Sequence, residues 1–319
     1  MSNNKNNVLT RKILIVIAGI ILLSGVISLV IVEPSFIKRV PFSVPPASYQ
    51  NWDEILQNPQ SITLDTYSTG INETSISGIV NLEHENAQGL EDEVIGIPVL
   101  VGVIQHDTFG AHLIDAGLDA SYAEHPHGNI KGLIVDSFLA NGTQQPGQNI
   151  AAILERENIK VKGVWLTHLH PDHTAGIVDL PKDIPYVAGK GERYVNFRFI
   201  IQTEHLAGVE QLYEIDLSDG IDLPPFGKGV DLFGDGSFWA IDSSGHSAGH
   251  ILFFINGAEE QILYTGDAIN IALQYEKSIG SGTYSSDLGK SQEVVEQIIA
   301  FKEMNPDVTL MFGHDLETF

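Results

Sequence analysis

Three histidines and an aspartate fall within six residues: His168-Leu169-His170-Pro171-Asp172-His173. A short apolar run, 163–167, stands before them, and Thr174-Ala175-Gly176-Ile177 follows. This pattern predicts a strand that ends in a loop and opens a helix. No other stretch constrains the chain as strongly. Four polar side chains so close together are costly to order unless they bind something. Imidazole and carboxylate are ligands of first-row divalent metals, with zinc the common choice. Residues two apart in an extended segment point the same way, so His168 and His170 can share one ion. Asp172 and His173 lie past the turn and can address a second. A solvated polar loop would account for one histidine but not for H-x-H-x-D-H at a strand end.

Later stretches carry compatible groups in order: Gly245-His246-Ser247-Ala248-Gly249-His250, Tyr264-Thr265-Gly266-Asp267 and Phe312-Gly313-His314-Asp315. Together with the first cluster they resemble the metallo-β-lactamase superfamily, over roughly residues 95–315. The resemblance implies an α/β fold, a four-layer αβ/βα sandwich with metals at one edge. It implies that His168, His170 and His246 hold one ion, that Asp172, His173 and His314 hold another, and that Asp267 bridges the two. It also implies Zn2+, two per chain, with other divalent metals as substitutes. The hairpin ending at Leu113-Ile114-Asp115-Ala116-Gly117 is similar to the family's first motif. That makes Asp115 a candidate to orient a metal-bound histidine through its other ring nitrogen.

The chemistry that follows is hydrolysis. Two ions about 3.5–4 Å apart can hold a hydroxide between them at neutral pH, polarise a carbonyl or phosphoryl oxygen and stabilise the leaving oxygen. Asp172 is a candidate to steer a proton. The ligand set without cysteine resembles the N-acyl-homoserine lactonase and glyoxalase II branches. The glyoxalase II enzymes carry a helical C-terminal domain, and only five residues follow His314. The expected reaction is therefore cleavage of a lactone or other carboxylic ester. β-Lactam, thioester and phosphodiester cleavage are the alternatives, along with a non-catalytic membrane-tethered binding protein. Retention of all seven ligands speaks against that last reading. The best-known lactonases have a tyrosine three residues after the bridging aspartate. Here that position is Asn270, whose amide is a candidate donor to a developing oxyanion, and the next tyrosine downstream is Tyr275.

The run 13–32 holds twenty residues without a charge, enough to span a bilayer. Lys5, Arg11 and Lys12 precede it. Lys38 and Arg39 follow, with Glu33 between. The expectation is a short tail at 1–12, a single-pass transmembrane anchor at 13–32, a tether at 33–60 and a catalytic domain at 61–319 on the extracytoplasmic side. Pro34, Pro41, Pro45, Pro46 and Pro59 motivate the tether, since repeated prolines block helix and ladder bonding. A cleaved signal peptide is the rival, but its apolar core would be shorter.

Charge narrows the partners. The chain has 17 Lys+Arg against 41 Asp+Glu; five of the basic residues and one acid fall in the first 39, which leaves 12 against 40, or −28. Such a surface repels phosphate backbones, so no nucleic acid is expected. A small-molecule ester or lactone fits better. With no cysteine, disulfides and thiolate ligands are both excluded.

Elsewhere the pattern predicts short edge strands in 61–95, a strand at 97–104 and its return at 111–115. It predicts a helix at about 147–158 and strands at 163–167 and 185–188. A hairpin turning at Asn256-Gly257 follows, then a helix from the Ser285-Ser286-Asp287 cap to about 303 and a strand at 307–312. His125 and His127 read as a solvated loop pair rather than ligands. Tyr194, Phe197, Phe199, Phe226, Phe233, Phe238 and Trp239 fall in 189–240; each taken singly reads as core packing, and the segment as a whole reads as a lid or acyl-binding wall.

Overall fold

The structure is a computed structural model that describes residues 17–20, 22, 37–194, 196 and 200–319. Its strands are β1 Lys38–Pro41, β2 Ile62–Ser75, β3 Val94–His106, β4 Gly110–Ile114, β5 Asn141–Thr143, β6 Val161–Leu166 and β7 Tyr186–Gly189. They continue with β8 Gln211–Ile215, β9 Ile221–Asp222, β10 Lys228–Asp231, β11 Phe238–Asp242, β12 Ile251–Asn256, β13 Gln261–Tyr264 and β14 Thr309–Met311. Eight of them form one sheet in the order β1-β8-β7-β6-β4-β3-β2-β5, and six form a second in the order β14-β13-β12-β11-β10-β9.

Side chains alternate across a strand, and the sheet-forming runs use both faces. In β6, Val164 and Leu166 face a cluster that includes Ile150, Ile153 and Leu154 of the helix Ile150–Arg156, while Trp165 faces the other sheet. In β12, Ile251, Phe253 and Ile255 join Trp165 and Ile104 between the sheets. Leu252 and Phe254 pack outward against Val295, Ile298 and Phe301 of the helix Leu288–Met304. Burial on both faces explains why these strands read as continuous apolar runs. Helix thus covers sheet, sheet faces sheet, and helix covers the far side. This is the α/β architecture expected, rich in sheet.

The N-terminal expectations need correction. Residues 38–57 are part of the domain rather than a tether. β1 runs parallel to β8, with Arg39 paired to Glu214 at 2.7 Å. The helix Trp52–Gln57 buries Trp52 and Ile55. Trp52 packs against Phe254 and Phe301 with ring centroids at 5.1 and 4.7 Å. Asn256 locks this helix by donating to Ile55 O at 2.7 Å and Asn58 O at 3.0 Å. The prolines misled because a proline is tolerated on an edge strand such as β1. The region 61–95 likewise holds one long strand, β2, paired along most of β3, with a register shift between Ser68 and Ile71. Its Thr, Ser and Asn alternate with the apolar residues, which hides the strand from a composition count.

The expected membrane span at 13–32 lies outside the described residues apart from Ile17–Ile20 and Leu22. Among the described residues no helix is long and apolar enough to cross a membrane.

If 38–57 belongs to the fold, Trp52→Ala should destabilise the domain by about 3–5 kcal/mol, the usual cost of truncating a buried large aromatic. Urea unfolding measures it. A loss below about 1 kcal/mol would restore the tether reading.

Candidate metal centre

The site is assembled where strands end. β6 stops at Leu166, and the next residue, Thr167, donates its N–H to Asp115 Oδ1 at 2.8 Å. His168 and Leu169 follow outside any strand, His170 is in extended backbone, and Pro171 opens the short helix Pro171–Thr174. Proline suits the first helical position because its missing N–H would be unpaired there anyway. Asp172 and His173 lie on that helix. His246 stands in the loop between β11 and β12. Asp267 stands in the turn Gly266–Ala268 after β13, and His314 beyond β14.

All seven expected ligands converge, in two groups. His168, His170, His246 and Asp267 form one; Asp172, His173 and His314 form the other, and within each group the ligand atoms lie within 4.8 Å of one another. Asp267 stands between the groups and divides its oxygens. Oδ2 lies 3.4 Å from His246 Nε2 and 3.8 Å from His168 Nε2. Oδ1 lies 3.2 Å from both His173 Nε2 and His314 Nε2. Asp172 Oδ2 is 3.6 Å from His314 Nε2.

The donor set fits divalent cations. His168 Nε2, His173 Nε2 and Asp267 Oδ1 are buried, yet none makes a hydrogen bond. His173 Nε2 and Asp267 Oδ1 approach to 3.2 Å without hydrogen-bond geometry. A buried polar atom without a partner costs about 1–3 kcal/mol, a cost that a shared cation removes. Nitrogen and oxygen donors without sulfur suit zinc and its first-row neighbours.

The far side of each ring is fixed. His173 Nδ1 lies 2.8 Å from Asp115 Oδ2, His168 Nδ1 3.0 Å from Thr167 Oγ1, His246 Nδ1 3.2 Å from Ser285 Oγ and His314 Nδ1 2.8 Å from Pro98 O. These contacts leave Nε2 for the cluster. His170 is turned the other way, with Nδ1 3.0 Å from His246 Nε2. Asp115 holds its place in left-handed backbone, φ 61°, a region aspartate tolerates better than most residues.

Electrostatics follow from burial and from Asp267. Burial, reinforced by neighbouring imidazoles, holds His168 well below the ordinary histidine range, and burial likewise lowers His246 and His170. These rings are neutral, the form that ligates. Burial also opposes charge on His173 and His314, but Asp267 and Asp172, with Asp115 for His173, outweigh it and raise both. Asp267 is driven well below the carboxylate range, because His173, His314, His246 and His168 overcome its burial.

Two supports escaped the sequence reading. Glu192, 3% exposed, accepts from Leu169 N at 3.1 Å and Gly249 N at 2.8 Å, and from the Ser247 hydroxyl. It ties the first histidine loop to the second, and nothing local in Gly189-Lys190-Gly191-Glu192 marks it. His250 does carry a signal, as the second histidine of Gly245–His250. Its Nε2 accepts from Asp267 N at 3.1 Å, while Nδ1 meets Ser243 Oγ at 2.7 Å. Burial pushes it down to about 3, so it stays neutral.

Other expectations change. Asn270 is buried at the cavity, but its amide nitrogen turns to Asp267 O at 3.4 Å and its Oδ1 is left without a partner. Tyr275 packs on Phe312 and Phe319, away from the cluster. The single aromatics of 189–240 pack the core as expected, while the lid reading of the segment as a whole is corrected. Phe226 and Trp239 lie in one core cluster, and Phe238, with Phe233 against it, in another; Phe197 and Phe199 lie outside the described residues. The cavity over the metal cluster measures about 270 Å³, and its apolar walls come chiefly from Ile79, Ile97, Tyr122, Ile130, Leu139 and Ile201. The loop 118–146, not 189–240, supplies most of the far wall. Within it His125 is exposed, whereas His127 is buried, with Nδ1 3.2 Å from Ala140 O and Nε2 3.3 Å from Asp136. Neither reaches the metal groups.

The sequence profile of the Metallo-beta-lactamase superfamily matches residues 94–314, and the chain belongs to that superfamily. Among curated proteins it is similar to a hydroxyacylglutathione hydrolase of Shewanella sp. (strain ANA-3), 29% identical over 116 residues, 36% of this chain and 38% of that protein. It is also similar to an atrochrysone carboxyl ACP thioesterase of Emericella nidulans, 27% identical over 168 residues, 52% of this chain and 43% of that one. The chain thus spans under half the length of these relatives. Among solved structures it resembles a B. thuringiensis AiiA variant with N-decanoyl-L-homoserine at its active site. The TM-score is 0.62 at 17% identity, over 81% of this chain and 95% of that one. The dizinc quorum-quenching lactonase AidC gives a TM-score of 0.52 at 14% identity, over 81% and 88%. At these identities the likeness speaks for the fold.

If Asp115 orients His173, Asp115→Ala should weaken metal affinity by about 10–100-fold while leaving the fold intact. Competition with a zinc chelator, read beside circular dichroism, checks this; unchanged affinity would reduce Asp115 to a turn residue.

Proposed function

We propose that the chain is a metal-dependent hydrolase with two zinc ions, which cleaves a lactone or other carboxylic ester carrying an apolar tail. One observation carries the reading: two ligand groups share Asp267 directly beneath an apolar cavity. His168, His170 and His246 would hold one ion, Asp172, His173 and His314 the other, with Asp267 across both. When bound, such a pair polarises a carbonyl oxygen and makes water nucleophilic near neutral pH.

The chain's own residues do the positioning. Asp115, Thr167, Ser285 and the Pro98 carbonyl aim four of the five imidazoles. Glu192 keeps the two histidine loops in register. Asp172 reaches into the cavity, and Asn72 Nδ2 donates to its Oδ2 at 3.3 Å. The Asp172 carboxylate would be the group that steers a proton from water. The apolar wall excludes water and takes the acyl tail. The net charge of −28 over residues 40–319 disfavours polyanionic substrates. The curated relatives, named as a hydroxyacylglutathione hydrolase and an ACP thioesterase, and the structural neighbours that hold N-acyl-L-homoserines both support an acyl substrate.

The purified protein should carry two divalent ions per chain. Chelation should abolish activity and zinc should restore it, and His170→Ala should lose activity together with part of the metal. A panel of lactones, thioesters, phosphodiesters and β-lactams then tests the substrate. Efficient phosphodiester or β-lactam cleavage with every lactone and ester untouched would overturn the ester reading.

The run 13–32 supports a further proposal, resting on sequence alone: a single-pass anchor with the catalytic domain on the extracytoplasmic side. Protease added to intact cells should remove the domain. Protection, or a mature N-terminus cut just after the run, would refute the anchor.

A further inference from the structure

The cavity is lined by a tyrosine that the reading above leaves unused. Tyr122 lies in the turn Ala120–Ala123, which Asp119 caps by accepting from Ser121 N. The residue is 7% exposed and packs with Val99, Leu118 and Ala175. Ala175 stands two positions beyond His173, so the ring rests on the metal-binding segment itself. Two glycines hold it from either edge. A Cβ at Gly142 would lie 2.5 Å from Tyr122 Cδ1, and one at Gly128 would lie 2.4 Å from Cε2. Gly142 N donates to Pro126 O at 2.6 Å, which closes the loop around the ring. A ring packed this tightly keeps one orientation.

A buried tyrosine ordinarily finds a partner for its hydroxyl. Among the described residues no group hydrogen-bonds this one, and Tyr122 lines the cavity together with Asn72, Asp172 and His314. Burial, with the carboxylates of Asp119 and Asp172 adding to it, pushes the phenol far above its usual range. The group is therefore an O–H donor throughout the physiological range. Other groups on the cavity are less suited to that role. Asp172 and Asp267 accept, the histidines are taken up by the cluster, and the Asn270 amide already turns an N–H to Asp267 O. Tyr284 is half exposed, so water competes for the O–H of a hydroxyl that accepts from Thr74 Oγ1 at 3.4 Å.

We propose that Tyr122 is the catalytic hydrogen-bond donor of this site. Its hydroxyl donates to the substrate oxygen that lies against the Asp172–His173–His314 group and gains negative charge as the acyl–oxygen bond breaks. The inference rests on the ester-hydrolysis reading. In that reaction water's oxygen joins the acyl carbon and the acyl–oxygen bond breaks. The leaving oxygen keeps the bonding pair and takes one of water's protons, and the other proton goes to solvent as the carboxylate forms. Tyr122 keeps its own proton throughout and acts through the hydrogen bond alone.

The test is Tyr122→Phe in the zinc-loaded full chain, compared with the wild type on γ-nonalactone and, separately, for binding of hexanoate by calorimetry. Loss of one donor to a developing oxyanion lowers kcat by about 100-fold or more. We expect that loss with KM little changed, zinc content and thermal unfolding unchanged, and hexanoate affinity reduced about tenfold, the equivalent of one hydrogen bond. A variant that keeps kcat within about threefold and binds hexanoate like the wild type overturns the inference, and leaves the ester reading standing. If the wild type cleaves no lactone or ester, the ester reading falls instead. The hexanoate arm then decides alone: weaker binding in the variant upholds Tyr122 as the donor to a bound oxygen anion, and equal binding removes it.

Discussion

The structure depends on a single buried carboxylate. Asp267 is 5% exposed and stands among the imidazoles of two ligand groups. A charge in that position is expensive to desolvate and is held only where it is paired on every side. The fold does this through its backbone as well as its side chains. Asp267 N–H is taken by His250, and Asp267 O accepts from Ser281 Oγ at 3.0 Å. Both ends of the residue are thus fixed, and only the carboxylate is left to face the ligands. The turn allows no bulk. Gly266 takes φ 51°, and a Cβ at Gly313 would lie 2.8 Å from Asp267 Oδ1.

The rest of the architecture brings separate strand ends to that carboxylate. β4 delivers Asp115, β6 the first histidines, β13 Asp267 and β14 His314. The strands can do this with small tolerance because their middles are packed on both faces. A side chain such as Phe253 or Trp165, locked between the sheets, leaves its strand no room to slide. Rigid middles and chemical ends divide the labour, and the loops between them are free to shape the cavity.

The ligands were legible in the sequence because metal chemistry compresses the signal. Four of the seven fall in six residues, and the others sit beside glycines that the turns require. A continuous apolar run gave β6 to within two residues, and the Asn256-Gly257 turn placed the hairpin of β12 and β13. The failures have physical causes. Prolines at 41, 45 and 46 were read as a tether, but an edge strand and the chain leading to a short helix accommodate them, and Trp52 supplies the burial that a composition count overlooks. The aromatics at 189–240 looked like a wall because hydrophobicity does not say which core a ring enters; Phe226, Phe238 and Trp239 entered the domain's own. Glu192 is the hardest case. Its partners are backbone N–H groups of Leu169 and Gly249, and a carboxylate that serves backbone from a distance leaves no spacing pattern to find. Asn270 shows a different limit: sequence placed the residue at the cavity, but the direction of its amide depends on Asp267 O.

Charge ties the site to the surface. The domain's excess of acid disfavours anions near it, while a site containing two divalent ions attracts oxygen ligands strongly at short range. Screening confines the surface field to about 8 Å at physiological salt, so it acts at the cavity mouth and leaves the chemistry to the ions. In the proposed reaction the substrate is neutral and enters without opposition. The product carries a new carboxylate. Inside the cavity that group would be held by bound cations and by a donor such as the Tyr122 hydroxyl; once it moves outward it meets the domain's net negative charge, which disfavours its return. A strongly acidic hydrolase thus has an electrostatic reason to prefer neutral esters, because the same surface that excludes polyanions from entry also favours departure of the acid it makes.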